Sequence, residues 1–193
     1  MLTATYNWTM RMAAHRRAPQ ALFGVSFVES SFFPIPPDVM LIPMVLAKRA
    51  KAWWFAFIAT VGSVLGGIAG YAIGYFLYEQ IGQPVMALYG YAEKFESFAD
   101  KYNEFGAWAV LIAGITPFPY KVITIASGVT QLDFMVFVLA SIAARSLRFS
   151  VVAALLYFFG PPIKDFIEKR LGLVFTVFMI LLIGGFVAIK FVV

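Results

Sequence analysis

The chain has 193 residues, 62% of them hydrophobic and 18% aromatic, with a mean hydropathy of +0.85. That is well above the roughly 45–50% apolar content of a soluble domain, and it predicts a single all-α integral membrane domain. With no cysteine, one histidine (His15) and a net charge of +5 concentrated at segment ends, the composition excludes disulfides and Cys-ligated metals, and it points to no metal, cofactor or nucleic-acid partner.

Residues 1–18 read as a basic amphipathic segment, with Arg11, His15, Arg16 and Arg17 polar and Trp8, Met10 and Met12 able to enter an interface. Residues 20–47 are apolar but carry Glu29, Asp38 and the prolines Pro34, Pro36 and Pro37. Those prolines remove donors and forbid one continuous helix. As helices, Ala21–Phe33 and Val39–Ala47 would reach ~20 Å and ~14 Å, about half a bilayer each. Arg11, Arg16 and Arg17 precede this stretch, and Lys48, Arg49 and Lys51 follow it. A single crossing would place basic clusters on both sides of the membrane. A re-entrant hairpin keeps both inside, with the N-terminus cytoplasmic.

Residues 53–78 form the first expected transmembrane helix, with Trp53 and Trp54 at one interface and Tyr75 and Tyr78 at the other. Gly62, Gly66, Gly70 and Gly74 recur every fourth residue. They make a bare ridge for a hairpin or for a second copy in a homo-oligomer. Residues 82–105 are expected as one outer interfacial helix, with Phe95, Phe98, Tyr102 and Phe105 at helical spacing. Five acids against two lysines over 79–105 put that region outside. Residues 106–130 are again apolar and broken, now by Pro117 and Pro119 beside Lys121. A second span, 134–159, carries Arg145 and Arg148 on one face and is expected to end at Gly160-Pro161-Pro162. Residues 171–192 make a last, chemically plain span.

Pro34-Ile35-Pro36 and Pro117-Phe118-Pro119 lie 83 residues apart, and each leads into about ten apolar residues, a polar break and a long span. The charge flanks put the ends of the first hairpin inside and those of the second outside. The two hairpin-plus-span units are therefore expected to be inverted relative to each other, as in transporters whose broken helices meet at the midplane. Asp38 and Lys121 then occupy equivalent tips.

Glu29, Asp38, Lys121, Arg145 and Arg148 all lie in apolar segments, where each charge costs roughly 2.5–3.5 kcal/mol at the bilayer centre. Two acids face three bases, and the surplus positive charge suits a phosphate group. Lys121, Arg145 and Arg148 are the candidate substrate-binding residues. Glu29 and Asp38 are candidates for proton coupling or ion pairing. The plainer reading, that these charges only weld the hairpins together, stands beside it. Ser30, Ser31 and Thr116 are expected to satisfy backbone groups freed at the turns. No usable His base and no metal constellation supports an enzyme.

Glu29-x4-Pro34-x-Pro36-x-Asp38, with Gly114-x2-Pro117-x3-Lys121 and Gly128, resembles the DedA family, also called the SNARE-associated or VTT family. Phe27 to Asp38, Tyr71-Ala72-Ile73-Gly74-Tyr75-Phe76 and Phe159-Gly160-Pro161-Pro162-Ile163 resemble its small YqaA-like bacterial branch. The likeness covers about residues 20–185. It implies a bacterial inner-membrane protein with two facing re-entrant hairpins that translocates lipids such as undecaprenyl phosphate or phospholipids, with proton motive force required in some members. Glu29 and Asp38 match the family's acidic pair. Of its two arginines, the earlier is absent at Gly114-Ile115-Thr116 and the later is replaced by Lys121; Arg145 can supply the missing charge. The expected function is thus a flippase or scramblase for phosphate-bearing lipids. A small-ion or drug/proton antiporter and a non-transporting assembly protein remain alternatives.

Overall fold

The computed structural model describes His15 and residues 17–31, 36–89, 92–116 and 119–169. Pro34, Pro117, the expected span 171–192 and most of the N-terminal segment 1–18 lie outside the described residues. Within them the chain is helical, with no strand. Helix α1 is Ala18–Ser31, and Pro19 sits in its first turn, where a missing N–H costs nothing. Helix α2, Asp38–Ala47, starts directly after Pro36-Pro37. The carbonyl of Pro37 accepts from Met40 N and Leu41 N at 3.0 and 2.9 Å. A short 3-10 turn, Arg49–Lys51, leads into α3, Ala52–Leu77, which continues through a π-helical segment, Tyr78–Gly82, into α4, Gln83–Tyr89. Then follow α5 (Ala92–Glu104), α6 (Gly106–Ile115), α7 (Tyr120–Val129) and α8 (Phe134–Lys169). Arg49–Leu88 and Phe134–Gly160 are long and apolar enough to cross a membrane.

One expectation needs correction. Helix α4, the first part of the region 82–105, prolongs the first span, which runs over Arg49–Leu88, and α5 follows it. The second span, Phe134–Gly160, stops at Gly160-Pro161-Pro162 as expected, while the helix α8 itself runs on to Lys169. Pro161 has no N–H to give the carbonyl of Tyr157, four residues back. The guanidinium of Arg49 donates to that carbonyl instead. A Cβ at Gly160 would stand 3.2 Å from Arg49 Nε, so the absence of a side chain makes room for the substitute donor.

The glycine ridge of α3 is filled from within the chain. A methyl group on Gly62 would lie 2.6 Å from the carbonyl oxygen of Phe23, and one on Gly66 would collide with that of Phe27. One on Gly74 would strike the carbonyl of Ile125, and one on Gly128 that of Tyr71. Backbones this close are what small residues in packed membrane helices permit. All four ridge glycines are buried, and α1 and α7 pack on the ridge, as the hairpin alternative of the two expected occupants has it.

The contacts also set the directions. Phe23, Phe27 and Ser30 meet Gly62, Gly66 and Gly70 in rising order, so α1 runs parallel to α3. Thr124 against Gly70 and Val129 against Gly74 give α7 the same direction. Helix α8 runs the other way, with Tyr157 beside Trp53, Arg145 on Ser63 and Phe137 against Tyr71. Helices α2 and α6 follow α8: Asp38 meets Arg148 and Leu46 meets Gly160, while Gly106 meets Leu132 and Gly114 meets Ala144. Each short pair, α1–α2 and α6–α7, therefore doubles back on itself. One apolar cluster gathers Leu22, Leu41, Met44, Phe55 and Phe149; another gathers Tyr71, Val110, Leu132 and Phe137. Along α3 and α8, Ser63, Ser141 and Arg145 lie between these clusters, all buried.

Candidate functional site

The site is the layer at the end of α1 and α6 and the start of α2 and α7. Helix α8 brings Arg145 there, 1% exposed. A guanidinium carries five donors in a fixed plane. Nη2 donates to Glu29 Oε2 at 2.8 Å and to Ser30 Oγ at 3.2 Å, and Nε donates to Ser63 Oγ. The rings of Tyr120 and Phe149 stand 4.4 and 5.1 Å from its central carbon, close enough for cation–π attraction. Ser30 Oγ donates to Glu29 Oε2 at 3.1 Å and lies 2.7 Å from Ser63 Oγ. Because Ser30 spends its one proton on Glu29, Ser63 is the donor to Ser30. The hydroxyls thus run in one direction toward the carboxylate. Arg145 Nη1 is buried and has no acceptor among the described residues.

One turn further along α8, Arg148 Nη2 bonds Asp38 Oδ2 at 2.8 Å, and Nη1 donates to the carbonyl of Thr116 at 3.1 Å. This pair is more open, at 20% exposure for Arg148 and 24% for Asp38. The other carboxylate oxygen, Asp38 Oδ1, is buried and has no donor among the described residues. Thr116 Oγ1 donates back to the carbonyl of Ile112, and Ser31 Oγ to those of Phe27 and Gly66; both satisfy backbone. Lys121 follows Pro119 at the start of α7, half-buried, and its side chain makes no ion pair among the described residues. Pro36 and Pro37 stand directly before Asp38, and Pro37 is fully buried.

Several contributors carried little signal in the sequence. Tyr120 OH donates to Ser141 Oγ at 2.6 Å, so the second turn is tied to α8 beside Arg145. Thr124 Oγ1 reaches the carbonyls of Ser30 at 3.1 Å and Lys121 at 2.9 Å, tying α7 to α1. The available hint was small hydroxyl residues on the glycine-rich faces of spans, such as Ser63 beside Gly62. Away from the layer, α5 straps the far end of α7: Tyr102 OH lies 3.0 Å from Ser127 Oγ, and Asn103 Nδ2 donates to the carbonyl of Thr130 at 2.8 Å. Burial pushes the Tyr102 phenol above its ordinary value, against the opposing pull of the Ser127 hydrogen bond, so at neutral pH it serves as a neutral hydroxyl.

A family model, the VTT domain, matches residues 35–159, which include Asp38, Lys121 and both arginines. The chain belongs to the VTT-domain (DedA) family. A protein of Haemophilus influenzae titled "Uncharacterized protein" is 39% identical over 169 residues, 88% of either chain. One from Histophilus somni is 39% identical over 164 residues, covering 85% of this chain and 84% of its own. One from Methanocaldococcus jannaschii is 26% identical over 132 residues, 68% of this chain and 79% of its own. No solved structure matches. This VTT-domain protein is thus a helical membrane protein with transporter-like membership, and its mid-height charge layer is the candidate site.

Proposed function

We propose that this VTT-domain protein moves phosphate-bearing lipids, such as undecaprenyl phosphate or phospholipids, across the bacterial inner membrane in step with proton uptake. In this reading α1–α2 and α6–α7 are re-entrant hairpins entering from opposite faces, and their tips meet at the midplane. The basic flanks Arg17, Lys48, Arg49 and Lys51 keep the first hairpin's ends cytoplasmic, with the N-terminus on that side. The observation that carries the reading is the partly exposed pair Asp38–Arg148 at the start of α2, together with Lys121 at the start of α7, half-buried and without an ion pair among the described residues. A guanidinium that is partly exposed and has only one carboxylate partner can exchange that partner for a phosphate, which it binds bidentately. Broken helices lining a polar layer at mid-depth support passage of a charged head group while its chains stay in lipid.

The test is reconstitution of the full chain into liposomes with fluorescent undecaprenyl phosphate, phosphatidylglycerol and an uncharged diacylglycerol. Transfer of the two phosphate lipids and not of diacylglycerol, reduced at least tenfold in Lys121→Gln and in Arg148→Gln, is the expected result. Equal transfer of all three lipids, or none by the wild type, overturns the reading.

A further inference from the structure

We propose that the two intramembrane acids are not equivalent. Asp38 is the carboxylate that takes up a proton when a phosphate reaches Arg148, and Glu29 stays ionised throughout as the fixed counter-charge of Arg145. The inference rests on the lipid-transport reading above and assigns its coupling to one residue.

Glu29 is held in place by its surroundings. Its Oε2 accepts from Arg145 at 2.8 Å and from Ser30 at 3.1 Å. Arg145 is 1% exposed, lies between two aromatic rings, and has no other carboxylate within reach among the described residues. Protonating Glu29 would leave a buried cation without an anion, the least favourable state for such a pair. At 1% exposure, Arg145 has little water to replace that anion.

Asp38 has the opposite setting. Oδ2 holds Arg148, whereas Oδ1 is buried with no donor among the described residues. An ionised oxygen without a donor is costly in a low-dielectric layer, and protonation removes that cost. Arg148 keeps a second acceptor, the carbonyl of Thr116 at 3.1 Å, and is 20% exposed. It can therefore release Asp38 to an incoming phosphate without becoming unpaired.

The charged groups around Asp38 are consistent with this order of events. Helix α8 presents Arg148 and, one turn back, Arg145; α1 presents Glu29, itself neutralised by Arg145; and α7 carries Lys121 at its start. Helix α3 has no Asp, Glu, Lys, Arg or His between Ala52 and Leu77, and Lys48, Arg49 and Lys51 lie at the other end of α2. Asp38 is the first residue of α2, and in the resting site its Oδ2 is committed to Arg148. In the step itself, the lipid's phosphate oxygens take the Arg148 N–H donors, the Arg148–Asp38 hydrogen bond breaks, and a proton from water bonds to Asp38 Oδ1. A singly charged phosphodiester and one proton enter together, so the net charge of the layer is unchanged; a phosphate monoester, doubly ionised in water, would enter with a second proton already on its phosphate. Release reverses each bond.

The experiment uses the full chain in detergent and a short-chain phosphatidylglycerol, whose phosphodiester has no second ionisation to confuse proton counting. Proton uptake is read in weak buffer, and the carboxyl stretch is read by infrared difference spectroscopy. The expected result is about one proton taken up per lipid bound, and a protonated-carboxyl band that shifts when aspartate carboxyls are 13C-labelled and is absent in Asp38→Asn. The labelling needs no substitution, so it stands even if a variant fails to fold. A band that shifts with labelled glutamate, or that survives in Asp38→Asn, overturns the assignment. Lipid bound with no proton uptake overturns it while leaving lipid transport in place. Failure of the wild type to bind or transfer any phosphate-bearing lipid overturns both.

Discussion

Arg145–Glu29 and Arg148–Asp38 are chemically the same contact, both 2.8 Å, made by residues three apart on one helix. They differ in what surrounds them. Arg145 is 1% exposed, capped by two rings and bonded to two hydroxyls, whereas Arg148 and Asp38 are each at least a fifth exposed and share one side-chain hydrogen bond. Position on the helix decides this. Arg145 projects between α1 and α3, onto Glu29 and Ser63, and Arg148 projects toward the start of α2 and the end of α6. One pair is therefore sealed within the frame, and the other is partly open to its surroundings.

Substitutions can break or sharpen that contrast. Glu29→Gln is expected to have the largest effect on stability, a loss of about 3–5 kcal/mol, because it strands a buried cation. Equilibrium unfolding in detergent measures it, and a double change with Arg145→Met should recover much of the loss. Next comes Gly66→Val. The added side chain meets the Phe27 carbonyl, and overpacking costs typically ~1–3 kcal/mol. It also pushes α1, and Glu29 with it, away from Arg145, so a spin-label distance between α1 and α8 should lengthen. Ser63→Ala removes the acceptor of Arg145 Nε and leaves a buried donor unmatched, for about 1–3 kcal/mol; serine-to-threonine at this position should lose less.

The open pair should respond differently. Asp38→Asn is expected to cost no more than about 1 kcal/mol of stability, in the range of partly solvated pairs, while removing the pH dependence of lipid transfer. If Asp38→Asn destabilises as much as Glu29→Gln, the distinction between the pairs is lost. Lys121→Gln should change stability least, within about 0.5 kcal/mol, because no partner among the described residues depends on it. Its effect should appear in transfer assays alone.

The sequence carried the parts of the fold that are written in local chemistry. Prolines cannot donate, so a break around residues 34–37 followed from their positions, and α1 and α2 lie on either side of it. The four-residue glycine spacing marked a close-packed face, though not which helices would fill it, and both occupants come from within the chain. The apolar span does stop at Gly160, but the continuation of α8 past Pro161 was not legible, because the donor that compensates for the proline, on Arg49, is over a hundred residues away. The five intramembrane charges were visible as a set. Their pairing was not, nor was the role of Ser63 or of the Tyr120 and Phe149 rings.

What the sequence by itself determined is therefore the inventory: a membrane chain, its broken segments, and an excess of one base over the acids within its apolar segments. Hydropathy, missing donors and charge are properties of residues and survive without a fold. Which acid meets which arginine, and which pair water can reach, was decided only when α1, α2, α6 and α7 turned back against α3 and α8. Burial and hydrogen-bond saturation belong to the packed assembly, and no side chain carries them alone.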